Sequence, residues 1–396
     1  MAGEATSATG LLDVGEWQAV IDMRTGLSLE RGDMEAGISP ATAGRDAEVL
    51  SDLLRRMPFP GDLSPSSASW VTDVALELDR IYSPSLLVLV HASLSFKTMY
   101  GGGDLFSDEL LEVRREIERL FFESGREHAI LGLGNLVRVK DYVDLCGLDG
   151  LALGSGFPSS YAGVFRPSAR DLERLEGIPE VKRVTSREEF RECFGGSEDF
   201  YGRFPHRFLE LEEGYTLKAF GIPAREPALM PGRDELLPLA GDIPLPARPL
   251  SIVDLKDCIM RNGEAGRRQA LVLVEGLGTD AFPWAYRGID NTMGWFRYPL
   301  GDSQYMAVTS GKHMVEHGHP PCLRYYLEDD LYPYSGIFNE LPSGLLGQDA
   351  SGLCAAVGNR SIYTHACLGA DITVECFART LYNYGTLAVI RNATAI

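Results

Sequence analysis

The sequence predicts an α/β protein: a mainly parallel sheet flanked by helices, with a second α/β or α+β portion in the C-terminal half. Three observations predict it. The run SPSLLVLVHASL at 83–94 is apolar almost throughout, as a strand buried on both faces reads. DELLEVRREIERLFFES at 108–124 has the spacing of an amphipathic helix. HAILGLGN at 128–135 is a second buried strand, and strand-helix-strand alternation is the mark of a parallel sheet.

The elements follow in order. An amphipathic helix over 45–56 stops at Met57-Pro58, and the turn PFPGDLSPSSASW leads into a helix over 69–81 with Trp70, Val74 and Leu78 on one face. After the strand at 83–94, Ser107 or Asp108 is expected to cap the long helix. GLDGLALGSG at 147–156 reads as the next buried strand. Near residue 220 the composition turns proline-rich, so the chain divides into an α/β domain over 1–220, a connector over 221–250 and a C-terminal portion over 251–396. LSIVDL at 250–255 and ALVLVEGLG at 270–278 read as strands of that last portion. Ligands of such sheets gather at the carboxyl ends of the strands.

The bulk numbers narrow the classes of function. The length of 396 residues exceeds one ordinary core, and the 45% hydrophobic and 23% charged content suits a folded chain. A formal net charge of -19 argues against nucleic acid and anionic membranes as partners. No apolar run nears the roughly 20 residues that cross a bilayer. Residues 1–10 lack the basic start and apolar core of a secretory signal. The 7 cysteines form no C-x-x-C pair and read as reduced thiols of a cytoplasmic protein.

Several motifs offer chemistry. AYRGIDNTMGWFRYPLG at 285–301, after Trp284, sets aromatics beside a polar triplet. Its aromatic residues, Tyr286 included, are expected to form an apolar wall, with Asp290, Asn291 and Thr292 as ligand contacts. YGGGD places Tyr100, Gly101 and Gly102 between strand and helix, where backbone N–H groups cradle anions; the plainer reading is a tight turn. GGSEDFYG offers Glu198 and Asp199 for acid/base work, against the plainer reading of an exposed acidic turn. Arg138 suits an anionic substituent. HMVEH matches the H-x-x-E-H zinc pattern with His313, Glu316 and His317, which needs both histidines on one helix face. Gly311 and Gly318-His319-Pro320-Pro321 leave it about two helical turns. Glu340 or Glu375 would supply a third ligand.

Two resemblances link these pieces. Glu275 at a strand end, Ser303 and the closing SGKHMVEHG are similar to the alkaline-phosphatase-like superfamily, though that family has Asp where Glu275 stands and a later Asp-His pair that this chain lacks. Over about residues 55–345, a collinear series resembles an uncharacterised bacterial family, domain of unknown function 4127. The series comprises FPGDLSPSSASWVTDVALELD, LLVLVHASLSFKTMYGGGDLF, LGLGNLVRVKDY, LALGSGFPSSYAGVFR, GGSEDFYG, Tyr286-x-Gly288 with Asn291-Thr292 and Gly294, and LRYYLEDDLYPYSGIFNEL. The chain departs from that family at its start, where only Asp22 and Arg24 correspond. It departs again at His91-Ala92-Ser93, at Gly154-Ser155-Gly156, and in lacking a Ser-Arg pair near 105–108. The resemblance therefore implies a related site with altered or lost catalysis.

Taken together, the expectation is a hydrolase or binding protein for a polar small molecule, a sugar derivative among them. Glu198, Asp199 and Asp290 are the candidate catalytic residues, and no cofactor is expected outside the zinc reading. The competing classes are a zinc or phosphatase-like metallohydrolase and a non-catalytic scaffold.

Overall fold

The computed structural model describes residues 19–22, 27–30, 45–154, 158–218, 227–317, 349–359, 370–377 and 385–390. Strands and helices are numbered along the chain. A run as apolar as Leu86–His91 needs hydrogen-bonded neighbours on both edges and cover on both faces. Strand β3 (Leu86–His91) has both. It pairs in parallel with β14 (Gln269–Val274) on one side and β18 (Cys354–Gly358) on the other. The parallel core continues through β4 (Glu127–Gly132) beyond β14 and β19 (Ile372–Phe377) beyond β18. Antiparallel strands flank this core. On one side are β13 (Leu236–Gly241) and β15 (Arg287–Asp290); on the other are β20 (Gly385–Ile390), β1 (Ala19–Asp22) and β2 (Leu27–Glu30). Among the described residues the sheet has 10 strands, ordered β15-β13-β4-β14-β3-β18-β19-β20-β1-β2.

The period of two along each strand sorts the core into two layers. Leu87, Leu89, Val272 and Val274 pack beneath α1 (Arg45–Arg56), α2 (Ser67–Tyr82) and α4 (Phe106–Ser124). Val88, Val90, Leu271 and Leu273 pack on the opposite face with α8 (Leu255–Glu264) and α9 (Asp302–Ser310). Each fully buried leucine or valine contributes about 1.5–3 kcal/mol, so both faces are tied to the sheet. The α/β fold expected from alternation is present. Trp70, Val74 and Leu78 of α2 are buried together, as their spacing predicts. Helix α4, however, starts at Phe106 without a side-chain cap, because it continues a 3₁₀ turn over Gly103–Leu105 that already delivers its first turn. Neither Ser107 nor Asp108 caps it.

Strands from beyond residue 250 share this sheet with those from before 220: β14 lies between β3 and β4. The stretch expected as a connector supplies β13, and residues 219–226 lie outside the described residues. LSIVDL is a 3₁₀ turn leading into α8, not a strand: the Asp254 carboxylate accepts the Ser251 N–H at 2.8 Å and the Asp254 N–H donates to the Ser251 carbonyl at 2.9 Å, which closes a helical turn.

A second sheet holds β7 (Leu151–Gly154), β8 (Tyr161–Phe165), β10 (Arg207–Leu211) and β9 (Val181–Ser186) in that order, all antiparallel. Leu151–Gly154 of GLDGLALGSG thus forms an edge strand here, not a strand of the parallel core. Leu151 is 50% and Leu153 46% exposed. Helices α5 (Ala169–Glu176) and α6 (Arg187–Phe194) open with capping boxes at Ser168/Asp171 and Ser186/Glu189, and the short α7 (Glu198–Arg203) follows. The described residues also hold three small pairs: β5 (Leu136–Arg138) with β12 (Leu229–Pro231), β6 (Asp141–Val143) with β11 (Tyr215–Leu217), and β16 (Thr292–Met293) with β17 (Phe296–Arg297).

Candidate functional site

Three adjacent parallel strands, β14, β3 and β18, end in Glu275, His91 and Asn359. The Glu275 N–H donates to the His91 carbonyl at 3.0 Å, and the Asn359 N–H to the Val90 carbonyl at 3.2 Å. The carboxyl edge is therefore a single backbone-bonded row. After β3 the chain returns to β4 through α3 (Ser93–Gly101) and α4, on the face of Leu87 and Leu89. After β14 it continues through α9, on the face of Leu271 and Leu273. Neighbouring strands whose connections leave to opposite faces create a crevice at their carboxyl ends, the usual ligand position in open α/β sheets.

Glu275 is 0% exposed. It follows Leu271 and Leu273 in the strand alternation and faces the α9 layer. One carboxylate oxygen accepts from the Ser95 hydroxyl at 3.0 Å, and the other from the Tyr305 hydroxyl at 2.9 Å. Gly276 makes this approach feasible: its φ is +77° and a Cβ there would lie 2.9 Å from the Ser95 Cβ. Beside Tyr305, Gln304 donates to the Leu133 carbonyl at 3.5 Å and to Asn291 Oδ1 at 3.4 Å. The polar row thus runs from α3, through Glu275 and α9, to the 285–301 segment.

His91 lies on the other face, with Leu87 and Leu89. It is 0% exposed, and neither ring nitrogen has a partner among the described residues. Burial alone pulls its pKa down to about 4, so the ring is neutral at physiological pH. Asn359 shares this face. Its Oδ1 accepts from the Ala92 N–H at 2.6 Å, and its Nδ2 donates to the Ser67 hydroxyl at 3.1 Å, fastening the start of α2 to the strand ends.

The residues expected from sequence fall into two groups on either side of Glu275. Tyr100 and Gly101 end α3, with Gly102 at φ +106° as its cap. Arg138 is exposed at the end of β5, opposite Leu229, while the neighbouring Ala228 N–H donates to the Met99 carbonyl at 2.8 Å. YGGGD is therefore a helix end and a 3₁₀ turn. Asp290, Asn291 and Thr292 lie across the site. Asn291 is buried, but its Nδ2 donates to the Asp234 and Tyr298 carbonyls at 2.9 and 2.8 Å, so its amide hydrogens clasp backbone. Asp290 is exposed and accepts the Thr292 N–H at 3.0 Å, an Asx-type turn. Tyr286 is 46% exposed against the edge of Phe282. Phe296 and Trp295 join the two sheets: Phe296 stacks on Tyr161, and Trp295 meets Phe190 edge to face and Phe194 at a tilt.

Glu198 opens α7, exposed and paired with Arg191; the side chain of Asp199 lies outside the described residues. HMVEH does not form the helix that the zinc pattern needs. It is a 3₁₀ turn over Met314–Glu316 entered from an extended His313, because the αL residue Gly311 has already ended α9. His313 Nδ1 meets the Tyr298 hydroxyl at 2.9 Å, His317 Nε2 meets the Ser310 hydroxyl at 3.1 Å, and the Glu316 carboxylate accepts the His313 N–H at 2.7 Å. Burial lowers the His313 pKa and raises that of Tyr298. Among the described residues no three His, Cys, Asp or Glu side chains gather to hold a metal ion. Glu340 and the Glu375 side chain lie outside them, as does YYLEDDLYPY. Among the described residues no helix is long and apolar enough to cross a membrane.

The sequence points to Glu275 only as a misfit metal ligand and to His91 only within a departure from the resembled family. It missed Ser95, Tyr305 and Asn359. A usable signal was present: polar residues follow the apolar runs of three strands. No family model matches the chain, and neither does any curated protein or solved structure.

Proposed function

We propose that this chain binds a polar small molecule, with sugar derivatives the first class to test, in the crevice at the carboxyl ends of β14 and β3, and that it acts there as a binding protein or hydrolase. One observation supports the reading above the others: a fully buried carboxylate, Glu275, ends a parallel strand at the crossover reversal and is held by two hydroxyls. Taking a carboxylate out of water costs several kcal/mol before its partners offset it. An apolar residue would fill the same place more cheaply, so a polar role at this point accounts for its presence. Ser95 and Tyr305 fix its orientation, which favours hydrogen bonds to ligand hydroxyls. The reading stands on this geometry and not on the resemblance to domain of unknown function 4127. The departures at His91-Ala92-Ser93 agree with a site of altered chemistry.

The test is a thermal-shift panel of neutral monosaccharides, sugar acids and sugar phosphates on the wild type and on Glu275→Gln. At least one class is expected to raise the wild-type melting temperature in a saturable way. The variant, still folded, should lose that shift. An identical profile for both proteins sinks the proposal.

A further inference from the structure

One end of the second sheet brings three arginines to a single histidine. Arg166 follows β8, Arg187 follows β9, and Arg207 opens β10, where it lies opposite Val164 and Ser186 of the two neighbouring strands. All three bond to His206. The Arg166 N–H donates to His206 Nδ1 at 3.2 Å, and the His206 carbonyl accepts the Arg187 N–H at 3.3 Å and Arg207 Nη1 at 2.8 Å. Strand pairing therefore holds the arginines as a group. The group does not depend on the reading of Glu275.

Two independent features set it apart. The first is charge. Neighbouring arginines of the same sheet and its helix have carboxylates: Arg183 pairs with Glu210 and Arg191 with Glu198. Arg166, Arg187 and Arg207 have no ion pair among the described residues. Glu188 and Glu189 stand nearby, but Glu189 already accepts the Ser186 N–H at 2.7 Å, and the guanidiniums outnumber them. The His206 pKa is lowered, by burial first and then by Arg187, Arg166 and Arg207, with Glu188 acting the other way. The field at the ring is thus positive in a chain of net charge -19. The second feature is the backbone. Arg166 sits at φ +51° directly before Pro167; among the described non-glycine residues only Ser83, a helix cap, also has a positive φ. Glycine would take that position without steric cost, and like charges placed together repel. An arginine kept at a strained position beside two others has a role that the turn does not supply.

We infer that this end of the second sheet binds a phosphate group, bridged by the guanidiniums of Arg166, Arg187 and Arg207. Each guanidinium has five donors in a planar fork. Arg187 and Arg207 direct one each to the Phe204 and His206 carbonyls. Arg166 is exposed and the other two are partly exposed. A phosphate offers three oxygens and up to two charges, so it engages more than one fork at once. A carboxylate, with one charge and two oxygens, satisfies a single fork.

The probe is inorganic phosphate, compared with acetate at matched ionic strength, titrated into the full chain at pH 7 by calorimetry. Phosphate should bind saturably and at least tenfold more tightly than acetate. Arg166→Gly relieves the strained φ, so it should fold as stably as the wild type yet weaken phosphate at least fivefold. Arg207→Gln should weaken it by a similar factor. Glu275→Gln should leave phosphate binding unchanged, which separates this site from the crevice at the strand ends. Methyl phosphate distinguishes the source: binding within threefold of phosphate supports the site as one for a phosphate ester, and binding tenfold weaker supports it as one for the free ion. No saturable phosphate binding, equal affinity for phosphate and acetate, binding unchanged in Arg166→Gly, or binding lost in Glu275→Gln would each overturn the inference.

Discussion

Glu275 and His91 end neighbouring strands, are both fully buried and are joined by a backbone hydrogen bond, yet the protein treats them in opposite ways. Glu275, facing the α9 layer, has two hydroxyl donors on its carboxylate. His91, facing the α2 layer, has no partner for its ring among the described residues. The difference follows from what each group can do when water is removed. A buried carboxyl group has two oxygens that lose their hydrogen bonds to water, so it has to be given donors. An imidazole escapes the cost by losing its proton, and burial moves its pKa to about 4. One strand end is therefore a maintained polar site, and the other is a packing position that tolerates an ionisable ring.

The strongest way to break this contrast is to treat Glu275 as packing. Glu275→Leu removes one of two acceptors of the Ser95 hydroxyl, which also reaches the Ala92 carbonyl at 3.1 Å, together with the carboxylate that Tyr305 meets, and stability should fall by about 2 kcal/mol, the scale of one lost buried hydrogen bond. Glu275→Gln keeps an acceptor oxygen and should lose about half as much. Urea denaturation measures both. A leucine variant as stable as the wild type would mean that the hydroxyl bonds contribute nothing and that the two strand ends are alike.

Acid titration probes the other side. Above the ordinary histidine pKa of 6.5, His91 is neutral whether the chain is folded or not. Between 6.5 and about 4 the unfolded chain binds a proton at this residue and the folded chain does not, so stability falls as pH falls. The full difference is about 3 kcal/mol, at 1.36 kcal/mol per pKa unit. His91→Leu should be close to wild type at pH 7 and lose that share of the acid sensitivity. Denaturation midpoints at pH 7 and 4.5 decide it: parallel declines for the two proteins would show that His91 is not buried neutral.

The same contrast explains what the sequence revealed. Periodicity located α1, α2, β3 and β14, because a stripe such as Trp70, Val74 and Leu78 records a buried face directly. It failed for Leu151–Gly154, since a short apolar run reads the same in a parallel core and at the edge of a small sheet; only pairing distinguishes them. It failed for LSIVDL because so short an apolar run reads as a strand, and the bond from the Ser251 N–H to the Asp254 carboxylate that turns it leaves no periodic trace. At the site, attention went to glycine and aromatic richness near 285–301, and those rings prove to be the joint between two sheets. The tethers of Glu275 lie 180 residues before it and 30 after it. No spacing rule connects such positions, so Ser95 and Tyr305 became legible only once β3 and β14 were known to pair.

Asn359, which ends β18, supplies the intermediate case. It is neutral like the ring of His91 and hydrogen-bonded like Glu275. Its side chain takes the Ala92 N–H and gives a hydrogen to Ser67. Asn359→Ala leaves a buried backbone N–H without its acceptor, which should cost about 2 kcal/mol. Asn359→Asp keeps the acceptor for Ala92 but loses the donor to Ser67 and adds a charge on the His91 face. That carboxylate favours a protonated ring, so the acid-induced loss of stability should become shallower than in the wild type. Ala92 opens α3, which carries Ser95. Hydrogen exchange at the start of α3 should therefore accelerate in Asn359→Ala before exchange in the centre of β3 does. If exchange rises equally across both, Asn359 serves the sheet as a whole, and the carboxyl edge is not an independently fastened site.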